Sequence, residues 1–473
     1  MPLRFLSWPP IVRGLAALLL AGCGLGDLAH AQPQGSEASP LMPKPIVEAW
    51  KNAGTEVGSM WVNEFGRVQF LSEEQAATGD LPAFRLLIWK EGVLVNAPPP
   101  ASPFGLDLGG TTVTDDSLKE LAALKNLQTL NLHYTKVTGV GLKHLVGLKS
   151  LYALSLGNTQ VTQAGLKELA ALQSLRALNL GATDVTDVHL KELAGLENLQ
   201  VLCLGGTKVT DDGLKAFATL QRLEALDLAG TDVTGAGLQH LHGLKNLRFL
   251  EFHGCRVTDT GMKQVGGLKN LQTLSLWFTD VTDTGLKELA GLKNLKQLIL
   301  INTRVTNAGL KELAELRSLH RLDLRGTKVT DAGLKELARL QSLQELELGF
   351  LKVTGAALKE LAPLTSLKTL GLGYSEITDA GLTGLAELKS LQRLDLSNTK
   401  VTDAGLNHLS ALTSLHALDL SFTHVTDAGL RHLAGRKSLQ SLSIFGAKVS
   451  PTGLNGLRKA LPDCRIQSYW SAK

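Results

Sequence analysis

Leu319-His320-Arg321-Leu322-Asp323-Leu324-Arg325-Gly326-Thr327-Lys328-Val329-Thr330-Asp331-Ala332-Gly333-Leu334-Lys335-Glu336-Leu337-Ala338-Arg339-Leu340 holds two periodicities side by side. Leu322 and Leu324 alternate with polar Asp323, the period of a strand. Leu334, Leu337 and Leu340 follow three apart and form one face of a helix. Thr330 sits where an N-cap belongs, and Asp331 at the positive end of the helix dipole. The unit is a short strand, a turn and a short helix. Moving outward, the same pattern recurs every 24 residues, at Val113-Thr114, Val137-Thr138, Val161-Thr162 and on to Val425-Thr426 and Val449-Ser450, fifteen copies without insertion or deletion. The last copy agrees with the register: Ser450-Pro451 is a capping residue followed by proline at the first helical position.

One copy alone cannot bury its leucines, whereas stacked copies bury them in one continuous core. The expected fold is an α/β solenoid, with a concave parallel β-sheet inside and helices on the convex side. Fifteen strands at roughly 4.8 Å spacing give an inner face about 70 Å long. Recurrent glycines such as Gly141 and Gly165 fall inside the helical half, where they allow close packing. The pattern L-x-x-L-x-L-x-x-T-x-V-T-D-x-G-L-x-x-L, over about residues 104–466, resembles the leucine-rich repeat. That resemblance implies a horseshoe and a binding rather than catalytic role. Thr135, Thr159, Thr183 and Thr207 stand where most such repeats carry Asn or Cys, and only Cys255 keeps the alternative. A threonine ladder is expected in place of the asparagine one. The V-T-D-x-G-L variant is similar to exported bacterial leucine-rich-repeat proteins. It also resembles the shorter repeats of F-box adaptors (the F-box and GALA-like subclass), but no F-box-like helical segment precedes the repeats.

Length alone would suggest about three domains for 473 residues, and the repeat overrides it. Net charge is +4, and lysines such as Lys119, Lys143 and Lys167 read as a solvated helical face. No basic stripe converges on the inner face, so nucleic acid is not an expected partner. Residues 1–31 read as an export signal, with Arg4 and Arg13 ahead of an apolar run from Gly14 to Gly22. Two processing sites compete. Leu20-Ala21-Gly22-Cys23 matches a bacterial lipoprotein box, with Cys23 lipidated as the only membrane attachment; Ala29-His30-Ala31 allows ordinary cleavage before Gln32. Residues 32–45 read as a flexible linker. Residues 46–100 read as a small α+β N-terminal cap, with a helix at Ile46–Ala53 and strands at Val57–Val62, Val68–Leu71 and Phe84–Trp89. Asn63-Glu64-Phe65-Gly66 is the expected turn, and an independent binding role for this segment stays open. Residues 101–473 form the repeat domain, closed by a strand at Leu461–Ile466. Cys203 and Cys255 are too far apart to bridge, Cys464 is alone, and no CxxC spacing occurs, so neither disulfide, metal nor cofactor is expected.

Function is expected on the concave face, in four columns stepping by 24 residues. Early copies are bland there, with Gly157, Gly181, Gly205, Gly206 and Gly230. Middle copies are not: Phe249, His253, Trp277, Phe278, Ile299, Ile301, Arg321, Arg325, Glu345, Phe350 and Tyr374 follow one another. Trp277, Phe278, Ile299 and Ile301 are expected as an exposed apolar patch flanked by Arg321, Arg325, Glu345 and Glu347, the residue types that dominate protein interfaces. Its span of about 25 Å suits a protein segment; a carbohydrate is the alternative ligand. His133, Ser155 and Asp227 share the face without assembling a base, a nucleophile and an orienting group, so catalysis is not expected. The competing readings are a self-associating envelope protein, oligomeric state being unreadable, and an F-box-like substrate adaptor of a ubiquitin ligase.

Overall fold

The computed structural model describes residues 42–75, 80–95 and 97–469. The signal segment, the Cys23 site and linker residues 32–41 lie outside the described residues. Among these residues nineteen strands form one open sheet. The chain enters through helix α1 (Lys44–Asn52), then the hairpin β1 (Thr55–Val62) and β2 (Val68–Ser72), then β3 (Leu81–Leu86). β1 pairs antiparallel with both β2 and β3. β3 runs parallel to β4 (Phe104–Asp107), with Phe84 opposite Leu106. From β4 onward every strand is parallel to the next, and after one shift at Phe104–Gly105 the register advances by one repeat: Phe249 faces Thr273, which faces Gln297, then Arg321. The last pairing sets Leu442 against Ile466. A constant register is what a repeat without insertions imposes, because any slip would move leucines to the wet face.

The leucines form one core from end to end, with Leu322, Leu324, Leu334 and Leu337 all fully buried. At the N-terminal end Trp50 replaces a missing repeat. It stacks on Phe84 at 4.3 Å, meets Phe104 edge-on and donates its Nε1 to the Pro98 carbonyl at 2.9 Å. The third strand of this region lies at Leu81–Leu86 rather than Phe84–Trp89. Phe84 and Leu86 point into the core, but the chain then bends, leaving Leu87 and Ile88 exposed before Trp89 turns back in. An apolar run continued past the strand and masked its end.

On the convex side the helical halves are short and mixed. Gln163–Leu169 is α-helical, Asp331–Arg339 is a 3₁₀ helix, and Asn307–Leu310 passes from α into 3₁₀ at Lys311–Glu315. Leucines spaced three apart match the three-residue turn of a 3₁₀ helix, which stacks them in line. The V-T-D motif does more than cap its own helix. Thr330 takes the expected N-cap position without a side-chain cap bond, whereas Thr306 Oγ1 accepts from Ala308 N at 3.2 Å. Asp283, one repeat earlier, accepts from Thr306 N at 2.8 Å and from its Oγ1 at 2.6 Å. The same clamp joins Asp187 to Thr210, Asp259 to Thr282, Asp379 to Thr402 and Asp427 to Ser450. Asn307 makes it too, toward Thr330. A Cβ on Gly309 would lie 2.3 Å from Asp283 Oδ1, so glycine at this place keeps room for the clamp.

The threonine hydroxyls bond to neighbouring backbone, as expected, but within their own repeat. Thr135 and Thr183 donate to the carbonyls of Leu132 and Leu180, three residues back in the same repeat, at 2.7 and 2.6 Å. The hydroxyl closes its own turn instead of bridging copies. Cys255 does reach across, donating to the Leu228 carbonyl at 2.9 Å.

Candidate partner-binding surface

The fourth column is not strand. Its residues follow the strand in a left-handed turn, and the backbone there has positive φ in copy after copy. Glycine or asparagine suits that geometry and fills several places, as at Gly206, Gly230, Gly254, Gly326, Asn158, Asn302 and Asn398. Phe278, Phe350 and Tyr374 adopt it as well, with φ of 55°, 60° and 58°. A bulky side chain there costs about 1–2 kcal/mol. Tyr134 and Phe422 complete the set and are the most open, 62% and 49% exposed. Sequence reading passed over these two although each stands a whole number of 24-residue steps from Phe278.

The apolar patch expected around Trp277 is present but is not open. Trp277 is 8% exposed and Ile301 1% exposed, with Phe278, Ile299 and Phe350 half-buried around them. The parallel register places successive residues of a column one strand spacing apart, so large side chains cover one another. His253 lies flat on Trp277 at 4.1 Å and 9°, and Phe278 follows at 5.6 Å from the indole. The result is a small second core on the inner face. Trp277 Nε1 is buried there without an acceptor among the described residues, and Arg321 Nε likewise. Three repeats beyond Phe278, at the far side of this patch, Phe350 stacks on Tyr374 at 4.5 Å and 13°, both half-buried.

The charged rim also differs from expectation. Arg325 is buried and lies along the floor, its guanidinium held by Asp323 at 2.7 Å. Arg321 pairs with Glu345 at 2.9 Å and remains mostly covered. Phe249 is half-buried at the strand that opens the stretch. Glu347 keeps its proton to an unusual pH: burial, then the neighbouring Asp323, push its carboxyl up to about 7. The interrupted aspartate column has a local task. Asp227, Asp395 and Asp419 each accept from the backbone N–H two residues on, at 2.9, 2.8 and 2.7 Å.

The structure brings one group to this face that no column contains. The hairpin tip places Arg67 Nη2 2.8 Å from Asp227 Oδ2. The same oxygen accepts from Cys203 Sγ at 3.1 Å. Glu251, in the next strand, is pushed up to about 7 by burial and by Asp227, and burial lowers the pKa of His253. Nothing in the 24-residue pattern marks Arg67, which precedes the repeats by some forty residues. Elsewhere Ser155 Oγ accepts from Asn179 at 3.3 Å while His133 packs edge-on to Tyr134. Among the described residues no three His, Cys, Asp or Glu side chains are grouped to hold a metal, and no helix is long and apolar enough to cross a membrane.

A one-layer parallel sheet, curved by stacked repeats and armed on its inner face, defines a solenoid of the interaction class. A family profile described as "Leucine-rich repeat region" matches residues 208–466, and one described as "Leucine Rich repeat" matches residues 195–218. The chain belongs to the leucine-rich-repeat family. Among solved structures, a leucine-rich-repeat protein of Leptospira interrogans is 28% identical with a TM-score of 0.57, over 81% of this chain and 93% of that one. An internalin of Listeria monocytogenes is 22% identical with a TM-score of 0.48, over 76% and 90%. No curated protein matches the chain.

Proposed function

We propose that this chain is a non-catalytic protein-binding module that holds its partner on the inner face between Phe249 and Tyr374, continuing toward Phe422. Leucine-rich-repeat proteins generally act as scaffolds for protein partners, using this concave surface. The observation that carries the reading is the row of aromatic residues in left-handed turns. Phe278, Phe350 and Tyr374 hold a strained backbone where Gly206, Gly230, Gly254 and Gly326 do the same structural job without strain. Half-open rings are suited to contact. The signal at residues 1–31 supports export, and Cys23 a tether at the cell envelope; the 24-residue V-T-D-x-G-L period supports kinship with exported bacterial members of the family.

The test replaces Phe350 and Tyr374 with glycine together. A partner captured from an envelope extract by the native protein is expected to be lost by this variant while the fold persists. Equal capture by both proteins refutes the location of the site.

A further inference from the structure

The hairpin does more than close the end of the sheet. β2 pairs only with the distal part of β1, Gly58 to Val62, so the tip leaves the sheet edge. It returns across the inner face. Met60 lies on Gly105, where a Cβ would stand 2.4 Å from the Met60 sulfur. At the tip Gly66 has φ +74° and is buried, and a Cβ there would meet Val201 Cγ1 at 3.1 Å. Next to it Arg67 reaches Asp227. The contacts therefore run from β4 to the Ala225–Asp227 strand. Along that stretch the first column carries Ala153, Ala177 and Ala225, all buried; in the half beyond the hairpin, Ala417 of the same column is only half-buried.

We infer that Asp227, with Cys203 and Glu251 beside it, is a guanidinium-binding site on the inner face, occupied in cis by Arg67 and open to an arginine side chain of a partner segment when the hairpin tip lifts. Asp227 is fully buried and held in place by Ala229 N on one oxygen, which leaves the other for a donor. The chain itself uses this column for guanidinium groups twice more, Arg85 on Asp107 at 2.9 Å and Arg325 on Asp323 at 2.7 Å. A paired, hydrogen-bonded buried carboxylate is the form in which a charge can be held there. The occupant is loosely seated: the Arg67 side chain is 58% exposed, and Asn63, Glu64 and Phe65 are half-exposed. The early half of the inner face is thus bland in its columns because the chain covers it with its own hairpin.

The experiment vacates the site. Arg67→Ala removes an exposed side chain and leaves the fold's core untouched. The probe is a disulfide-cyclised, fluorescent peptide carrying the sequence of residues 61–69, followed by anisotropy against the purified protein. Arg67→Ala is expected to bind the probe at least tenfold more tightly than the native protein, and Arg67→Ala with Asp227→Asn to lose that gain, the asparagine oxygen still accepting from Ala229 N. Amides of residues 63–67 should exchange with solvent at least tenfold faster in Arg67→Ala. Equal probe binding by the native protein and Arg67→Ala, or binding indifferent to Asp227→Asn, overturns the proposal. So does unchanged amide protection, which would show the tip to be fixed by packing alone. These outcomes are independent of the Phe350–Tyr374 test, which reads the other half of the face.

Discussion

Replacing Phe350 and Tyr374 with glycine separates binding from folding better than truncating Trp277. The two rings stack at 4.5 Å, worth about 1 kcal/mol, and each is half-buried, worth about 1 kcal/mol more. Glycine also raises the entropy of the unfolded chain, costing about 0.5–1 kcal/mol per site. Against this loss of about 4–5 kcal/mol stands the relief of two left-handed backbones at φ 60° and 58°, about 1–2 kcal/mol each. The net cost is about 0–3 kcal/mol, spread over a core that runs the length of the solenoid. Trp277→Ala removes a side chain that is 8% exposed and uncovers Ile301, and should cost about 3–5 kcal/mol. Urea titration followed by circular dichroism ranks the two. The glycine pair should lower the midpoint less than Trp277→Ala alone, while partner affinity falls about thirtyfold or more, as loss of interface anchors of about 2 kcal/mol requires. A glycine pair less stable than Trp277→Ala would refute the strain argument, and unaltered affinity would refute the site.

Asp283→Ala should cost about 2–3 kcal/mol by stripping Thr306 of two hydrogen bonds, and Asp283→Asn under about 1 kcal/mol, since Asn307 already holds Thr330 in that way; equal midpoints in urea for the two variants would show that the clamp does not stabilise the stack. Glu251 and Glu347 retain protons up to about pH 7 in the folded chain against an ordinary 4.5. The folded state therefore binds more protons between those values, and stability should fall as pH rises through that window, by at most about 3 kcal/mol per group. Replacing both with Gln should flatten the difference in urea midpoint between pH 5 and pH 8, and an unchanged slope would place its origin elsewhere. Gly309→Ala should destabilise more than an exposed alanine replacement, because its methyl meets Asp283 Oδ1, and the measurement is again the urea midpoint. Mass spectrometry of the mature chain should find lipid on Cys23 as the N-terminal residue; a free Gln32 would exclude the tether.

Much of this architecture is legible in one repeat. Leu322 and Leu324 against Leu334, Leu337 and Leu340 declare two periods, and a period constant at 24 residues leaves parallel stacking as the way to bury both. The N-cap positions of Thr330 and Ser450 were readable locally, because capping is a matter of three residues. Asp283 holding Thr306 was not, since the pair becomes adjacent only after two copies stack. The columns gave the order of residues along the inner face but not their exposure: Trp277 sinks because neighbours from separate repeats close over it, and Arg325 because its guanidinium folds back onto Asp323. The left-handed turns at Phe278, Phe350 and Tyr374 are a backbone property that residue type alone contradicts. Arg67 against Asp227 is a contact across 160 residues of chain. Periodicity fixes everything that repeats, because each copy faces the same neighbours. It says nothing about a hairpin that occurs once, and there only the folded chain determines which part of the inner face remains open.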